Sequence, residues 1–141
     1  MYPSEKEALY HIGDFSYHNG DYPTATIFLE KVLVLDPTHE WAIEHLIWNA
    51  RELEHWDKMI EYAKWYVENV PGIKANHYLA NAYTYGGDFD KALELHRASQ
   101  QRFPNNPAPI LGLVDIHIAR NDYQRAEVEL KEWAPDARIE T

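Results

Sequence analysis

Four aromatic residues and three prolines recur along this chain at one period, and that period restricts the fold to a stack of like units. Tyr22, Trp56, Phe89 and Tyr123 follow one another at 34, 33 and 34 residues, and Pro37, Pro71 and Pro104 keep the same beat. Three residues after each aromatic stands Ala25, Met59, Ala92 or Ala126, a small or slim side chain where two helices must approach closely. A unit of this length holds one helix–turn–helix, which cannot bury its own apolar face and leans on its neighbours. Such an architecture presents a surface.

Local signals divide each period into two helices. Ser4 and Glu7 form an S-x-x-E capping box, so the first helix starts there and runs to about His18, where Asn19-Gly20-Asp21 breaks it. Pro23 sits in the first turn of the next helix, which carries Ala25, Phe28, Leu29, Val32 and Leu33 on one face until Asp36-Pro37 stops it. The second period runs from Thr38 to about Glu52 and from Asp57 to Asn69. The third runs from about Ile73 to Tyr85 and from Phe89 to Arg102. The fourth starts after Asn105-Asn106-Pro107, breaks at Asn121-Asp122 and resumes from about Tyr123 to Trp133. No segment alternates as a strand would. The expectation is an all-α chain of four antiparallel helix pairs in one domain, with units at about 4–37, 38–71, 72–104 and 105–138.

Gly-Asp-aromatic, Ala three residues on and Pro about fifteen on resemble the tetratricopeptide repeat (TPR). "NGDYPTATIFLEKVLVLDP" and "GGDFDKALELHRASQQRFP" are close matches, and "NDYQRAEVELKEWAP" is a good one. "EHWDKMIEYAKWYVENVP" departs by carrying Trp56 and Met59 where Tyr and Ala are usual. The first-helix signature survives as Leu9, Ile12 and Gly13 and as Asn76, Leu79, Ala80 and Tyr83, while Ile47 and Val114 replace its small residue. The resemblance implies a right-handed superhelical solenoid whose first helices line a concave groove, and a non-enzymatic module for protein–protein interaction.

Composition narrows the partner. The formal charge is -10, from 13 Lys and Arg against 23 Asp and Glu, whereas nucleic acid and anionic membrane reward clustered basic residues. Without cysteine there is no disulfide frame, thiolate nucleophile or Cys-based zinc site, which suits cytoplasm and periplasm alike. MYPSEKEALY lacks the order of a signal peptide, so the chain reads as cytoplasmic, and no apolar run approaches a membrane span.

Eight histidines raise the question of metal. His39-Glu40 begins like H-E-x-x-H, but Ile43 holds the second ligand position, and Glu52-x-x-His55 lacks the second pair a di-iron centre needs. His11 and His45 share an equivalent place in the period, as similar packing would produce. No phosphate loop and no nucleophile–base pair is present, so neither enzyme activity, metal nor cofactor is expected.

The groove residues are more telling. Tyr10, Asp14, Tyr17 and His18 share one face of the first helix, and Trp41, Glu44, Trp48, Arg51 and Glu52 share the matching face of the third. Lys74, His77, Asn81, Thr84 and Tyr85 follow on the fifth, then Leu111, Asp115 and Ile118 on the seventh. Aromatic rings with polar handles are what peptide-binding surfaces require. Tyr17, Trp48 and Tyr85 are expected to be solvent-accessible. One branch of the family grips the carboxylates of chaperone tails with Lys, Asn and Arg, but the aligned positions here hold Tyr10, Asp14, His45, Lys74 and Tyr78. Only Lys74 could take part, so a basic, aromatic-anchored or helical peptide suits the groove better. The alternative is self-assembly or an engineered repeat scaffold. Val128, Trp133 and Val114 would then lie uncovered on the last unit and pair two copies, unless Ile139 in the 135–141 tail plugs the gap.

Overall fold

Ser4 opens the first helix as its pattern predicts. Its hydroxyl accepts from the Glu7 amide at 3.2 Å, and the Glu7 carboxylate accepts from the Ser4 amide at 3.1 Å. The structure, a computed structural model, describes residues 4–133; the 135–141 tail and its Ile139 lie outside the described residues. Eight helices follow one another: α1 Glu5–His18, α2 Tyr22–Leu35, α3 Glu40–Glu52, α4 Trp56–Asn69, α5 Ile73–Tyr85, α6 Phe89–Arg102, α7 Pro107–Ala119 and α8 Tyr123–Trp133. Among the described residues there is no strand.

Each hairpin turns on one residue in the left-handed region. Gly20 and Gly87 take φ of 78° and 86°, as their sequence predicts. At the same step of the period Glu54 and Asn121 take φ of 56° and 59°. Asparagine tolerates that conformation, whereas Glu54 adopts it because the hairpin geometry imposes it. Asp21 and Asp88 then cap α2 and α6 by accepting from the amides of Thr24 and Lys91.

The contacts gather into two compact units, Met1–Ala75 and Asn76–Thr141. In the first, α1 packs on α2, α2 on α3 and α3 on α4, and α1 also meets α3. In the second, α6 packs on α7 and α7 on α8, while the ring of His77 on α5 stands 5.6 Å from that of His96 on α6. Ala25, Met59, Ala92 and Ala126 are all buried, as close approach demands. The sequence also predicts Tyr22, Phe89 and Tyr123 to be buried where paired helices meet, and these rings are less covered than that. Tyr22 and Phe89 are half-buried and Tyr123 is 63% exposed, because each is the first residue of its helix and sits at the edge of the pair. Val114 is buried, not uncovered.

Two further bonds recur with the repeat. The Trp65 indole N–H donates to the Pro37 carbonyl at 2.9 Å, and Trp133 donates to Pro104 at 3.2 Å. Trp133 is therefore tied back to the turn before α7 and is half-buried, contrary to the expectation that it lies open. The Tyr62 hydroxyl donates to Glu30 at 2.5 Å, and 67 residues further on Arg97 and Glu129 hold the same two places. One structural position is thus filled by two different polar pairs.

Tight packing at Gly13 yields a direct test. A Cβ there would stand 2.7 Å from Leu29 Cγ and 2.8 Å from its Cδ2, and Leu29 is fully buried. Gly13→Ala should cost about 1–3 kcal/mol in chemical denaturation, since the added methyl must displace a core side chain. An unchanged midpoint would mean that Leu29 can turn aside freely.

Candidate functional site

Helices α1 and α3 meet side by side, and the face they share carries most of the groove residues of the first unit. Tyr10, Asp14 and Tyr17 on α1 are half-buried and His18 is exposed. On α3, Trp41 is 65% exposed and Trp48 half-buried, while Glu44 and His45 are buried. Helix α3 is an interior element packed by α1, α2 and α4, which is why its polar residues are covered.

His45 is the hub of this cluster. Its ring lies 5.4 Å from Tyr17 and 5.9 Å from Tyr10, both edge-on, and 5.0 Å from Trp48. Its Nε2 stands 2.8 Å from Asp14 Oδ1, and His18 Nδ1 stands 3.2 Å from the same oxygen. Nothing in the repeat pattern marks His45 as functional, and its sequence equivalent His11 is exposed. The available signal was local: Trp41, His45 and Trp48 lie at i, i+4 and i+7 on one helical face.

The rings form a continuous wall rather than isolated anchors. Tyr17 and Trp48 approach to 6.3 Å, as do Tyr10 and Trp41, and Tyr10 lies 4.9 Å from His39. Burial raises the Tyr10 phenol pKa above its ordinary value, and the carboxylates of Asp14 and Glu44 add to the shift. Tyr17 moves the same way, first through burial and then through Glu52. Both phenols therefore stay protonated and can donate to a ligand. The expected openness of Tyr17 and Trp48 is corrected to half-burial, because these rings pack on one another and on His45.

Two groove residues are already engaged with each other. The Lys74 ammonium lies 2.9 Å from the buried Glu44 carboxylate, and a hydrogen bond from that ammonium is the main cause of its raised pKa. The pair completes the floor of the face and is a poor candidate for direct ligand contact. Arg51 lies 3.5 Å from Glu52 and is half-exposed.

In the second unit the predicted residues are placed differently. Asn81 Nδ2 lies 3.1 Å from His77 Nε2, and both side chains are half-buried on α5. Burial lowers the His77 pKa, opposed by the charge of Asp115. Tyr85 is 50% exposed, as expected, and Leu111, Asp115 and Ile118 form an exposed face on α7. Elsewhere in the first unit, Glu30, Leu33, Val34, Glu61, Tyr62 and Trp65 line a shallow apolar recess between α2 and α4.

Comparison with known proteins bears on the repeat and on the fold. Residues 85–138 match a family model described as tetratricopeptide repeat. Over those residues the chain carries the tetratricopeptide repeat. Its fold is similar to MamA from Desulfovibrio magneticus RS-1 at 20% identity and a TM-score of 0.73, covering 96% of this chain and 77% of that one. It is also similar to a thermophilic TPR protein of Thermus thermophilus, at 19% identity and a TM-score of 0.67, covering 92% and 73% of the two chains. No curated protein matches the sequence significantly. Identity this low carries the fold alone, an all-α TPR-like helical solenoid. The matches indicate no catalytic family, and among the described residues no helix is long and apolar enough to cross a membrane.

Proposed function

We propose that this TPR protein binds a peptide or helix of a protein partner on the α1/α3 face, with Tyr10, Tyr17, Trp41 and Trp48 as its apolar anchors. The observation that carries this reading is the unbroken aromatic wall, in which each ring keeps part of its area accessible around the charged Asp14. Rigid rings packed on one another lose little side-chain entropy on binding, which favours them as contact points. An acidic chain steers a basic peptide toward such a face, and the two protonated phenols can donate hydrogen bonds to its backbone. In the second unit Tyr85, Asn81, His77 and Asp115 are candidate contact residues by themselves, and Arg51 adds a cation to the face of the first.

The test is a panel of basic, aromatic-anchored peptides titrated by calorimetry against the wild-type chain and Trp48→Ala. Loss of Trp48 should cost about 2 kcal/mol or more, roughly thirtyfold in Kd, as a central anchor does. Equal affinity for the variant would remove Trp48 from the site.

A second reading rests on α8, where Val128 and Leu130 are 49% and 43% exposed. Pairing of two copies through this helix would cover both. It requires association in sedimentation at micromolar concentration that Val128→Glu abolishes.

A further inference from the structure

We infer that Asp14, His18 and His45 form a binding site for a divalent first-row transition ion of the zinc class. One ligand atom from each side chain lies within 4.8 Å of the other two, and the three come from two different helices. Two donors on one tetrahedral zinc ion, each about 2.0–2.2 Å from the metal, stand roughly 3.3–3.6 Å apart. Asp14 Oδ1 stands 2.8 Å from His45 Nε2, a few tenths of an ångström inside that spacing, so the two side chains part only slightly to admit the ion.

The tautomer of His45 strengthens the assignment. Its Nδ1 lies 2.7 Å from the Trp41 carbonyl, which only accepts, so Nδ1 carries a proton. The remaining Nε2 then faces a carboxylate oxygen at 2.8 Å. Neutral imidazole presents a lone pair to that oxygen, and the two repel unless a proton or a metal cation stands between them. A backbone carbonyl behind a ligating histidine is the usual support that fixes its ring and raises its basicity. His45 is 8% exposed and held by Tyr10, Tyr17 and Trp48, so its geometry is set before any ion arrives.

His18 supplies the mobile third ligand. Its side chain is 66% exposed, and its ring centroid lies 6.0 Å from that of His45. Its Nδ1 is 2.8 Å from the Asp14 carbonyl, which leaves Nε2 with the free lone pair; a turn of the exposed ring brings a nitrogen to the ion. Two imidazoles and one carboxylate favour zinc, cobalt, nickel or iron over magnesium and calcium, which demand oxygen ligands. Three protein donors leave a position open at the mouth of the aromatic face.

The test uses the metal alone on the full chain. Zinc should bind with one-to-one stoichiometry by calorimetry, and cobalt should give the intense visible absorption of a low-symmetry site. His18→Ala, exposed and harmless to folding, should weaken zinc by more than about 100-fold, beyond what loss of a supporting residue costs. His45→Ala and Asp14→Asn should do the same, while His11→Ala, exposed on the same helix, should leave binding unchanged. Magnesium at equal concentration should not compete. Absence of zinc binding, or equal affinity in His18→Ala and His11→Ala, would overturn the site. Peptide binding without metal bears only on the preceding proposal, so the two fail separately.

Discussion

Arg97→Met should destabilise the protein by about 3 kcal/mol, the low end of what breaking a buried ion pair costs. Arg97 donates two hydrogen bonds to the Glu129 carboxylate, one at 2.9 Å, and His117 Nε2 lies 3.2 Å from the same group. Glu129 is 5% exposed and His117 3% exposed. Burial pushes the Glu129 carboxyl up, but the hydrogen bonds from Arg97 and His117 and their charges hold it below its ordinary value. Without Arg97 a buried carboxylate keeps one partner. The low end applies because the Arg97 side chain is about half exposed and water screens it. A double variant, Arg97→Met with Glu129→Met, should recover much of the loss, since an apolar pair leaves no bare charge. Chemical denaturation of the single and double variants checks this, and a single variant as stable as wild type would mean that the triad contributes nothing.

Acid should weaken the fold well above the carboxylate range. His96 is 1% exposed, and burial, with His77 as a second cause, lowers its pKa from 6.5 to about 4. Between the two values the unfolded chain binds a proton that the folded chain refuses, so stability is full above about pH 6.5 and falls as pH drops toward 4. The total loss is about 3 kcal/mol, of which roughly 2 is reached by pH 5. His77, whose pKa burial also lowers, adds in the same direction. The ring cannot escape by shifting toward α7, because a Cβ on Gly112 would already collide with it. Denaturation midpoints from pH 7 to 4.5, beside a proton resonance titration of His96, check the expectation. A His96 resonance titrating near pH 6.5 would contradict it.

The repeat period carried the helices, because apolar spacing, caps and prolines act locally and each unit restates them. All eight helices begin and end within a residue or two of the positions read from those signals. Burial of Ala25, Ala92 and Ala126 was legible for the same reason. Less was legible where a residue's fate depends on a partner in the next unit. Glu44 read as a residue of the open groove face, and nothing in the sequence marked His45 or Glu129 as paired, yet each is buried against a residue about 30 positions away: Lys74, Asp14 and Arg97. Trp133 read as open for want of its acceptor, the Pro104 carbonyl. Glu54 occupies a left-handed turn that no glycine announces. Pairing across units leaves no mark in a single period, and the Asp14–His45 contact at the heart of the aromatic face is of that kind.

The central claim is that the α1/α3 face receives the partner, and resonance mapping tests it most directly. On titration with the tightest basic, aromatic-anchored peptide of the panel, the indole and amide signals of Trp41 and Trp48 and the ring signals of Tyr10 and Tyr17 should shift together and saturate at one equivalent. Shifts confined to the recess around Val34 and Trp65, or to α8, would place the binding surface elsewhere and contradict the account.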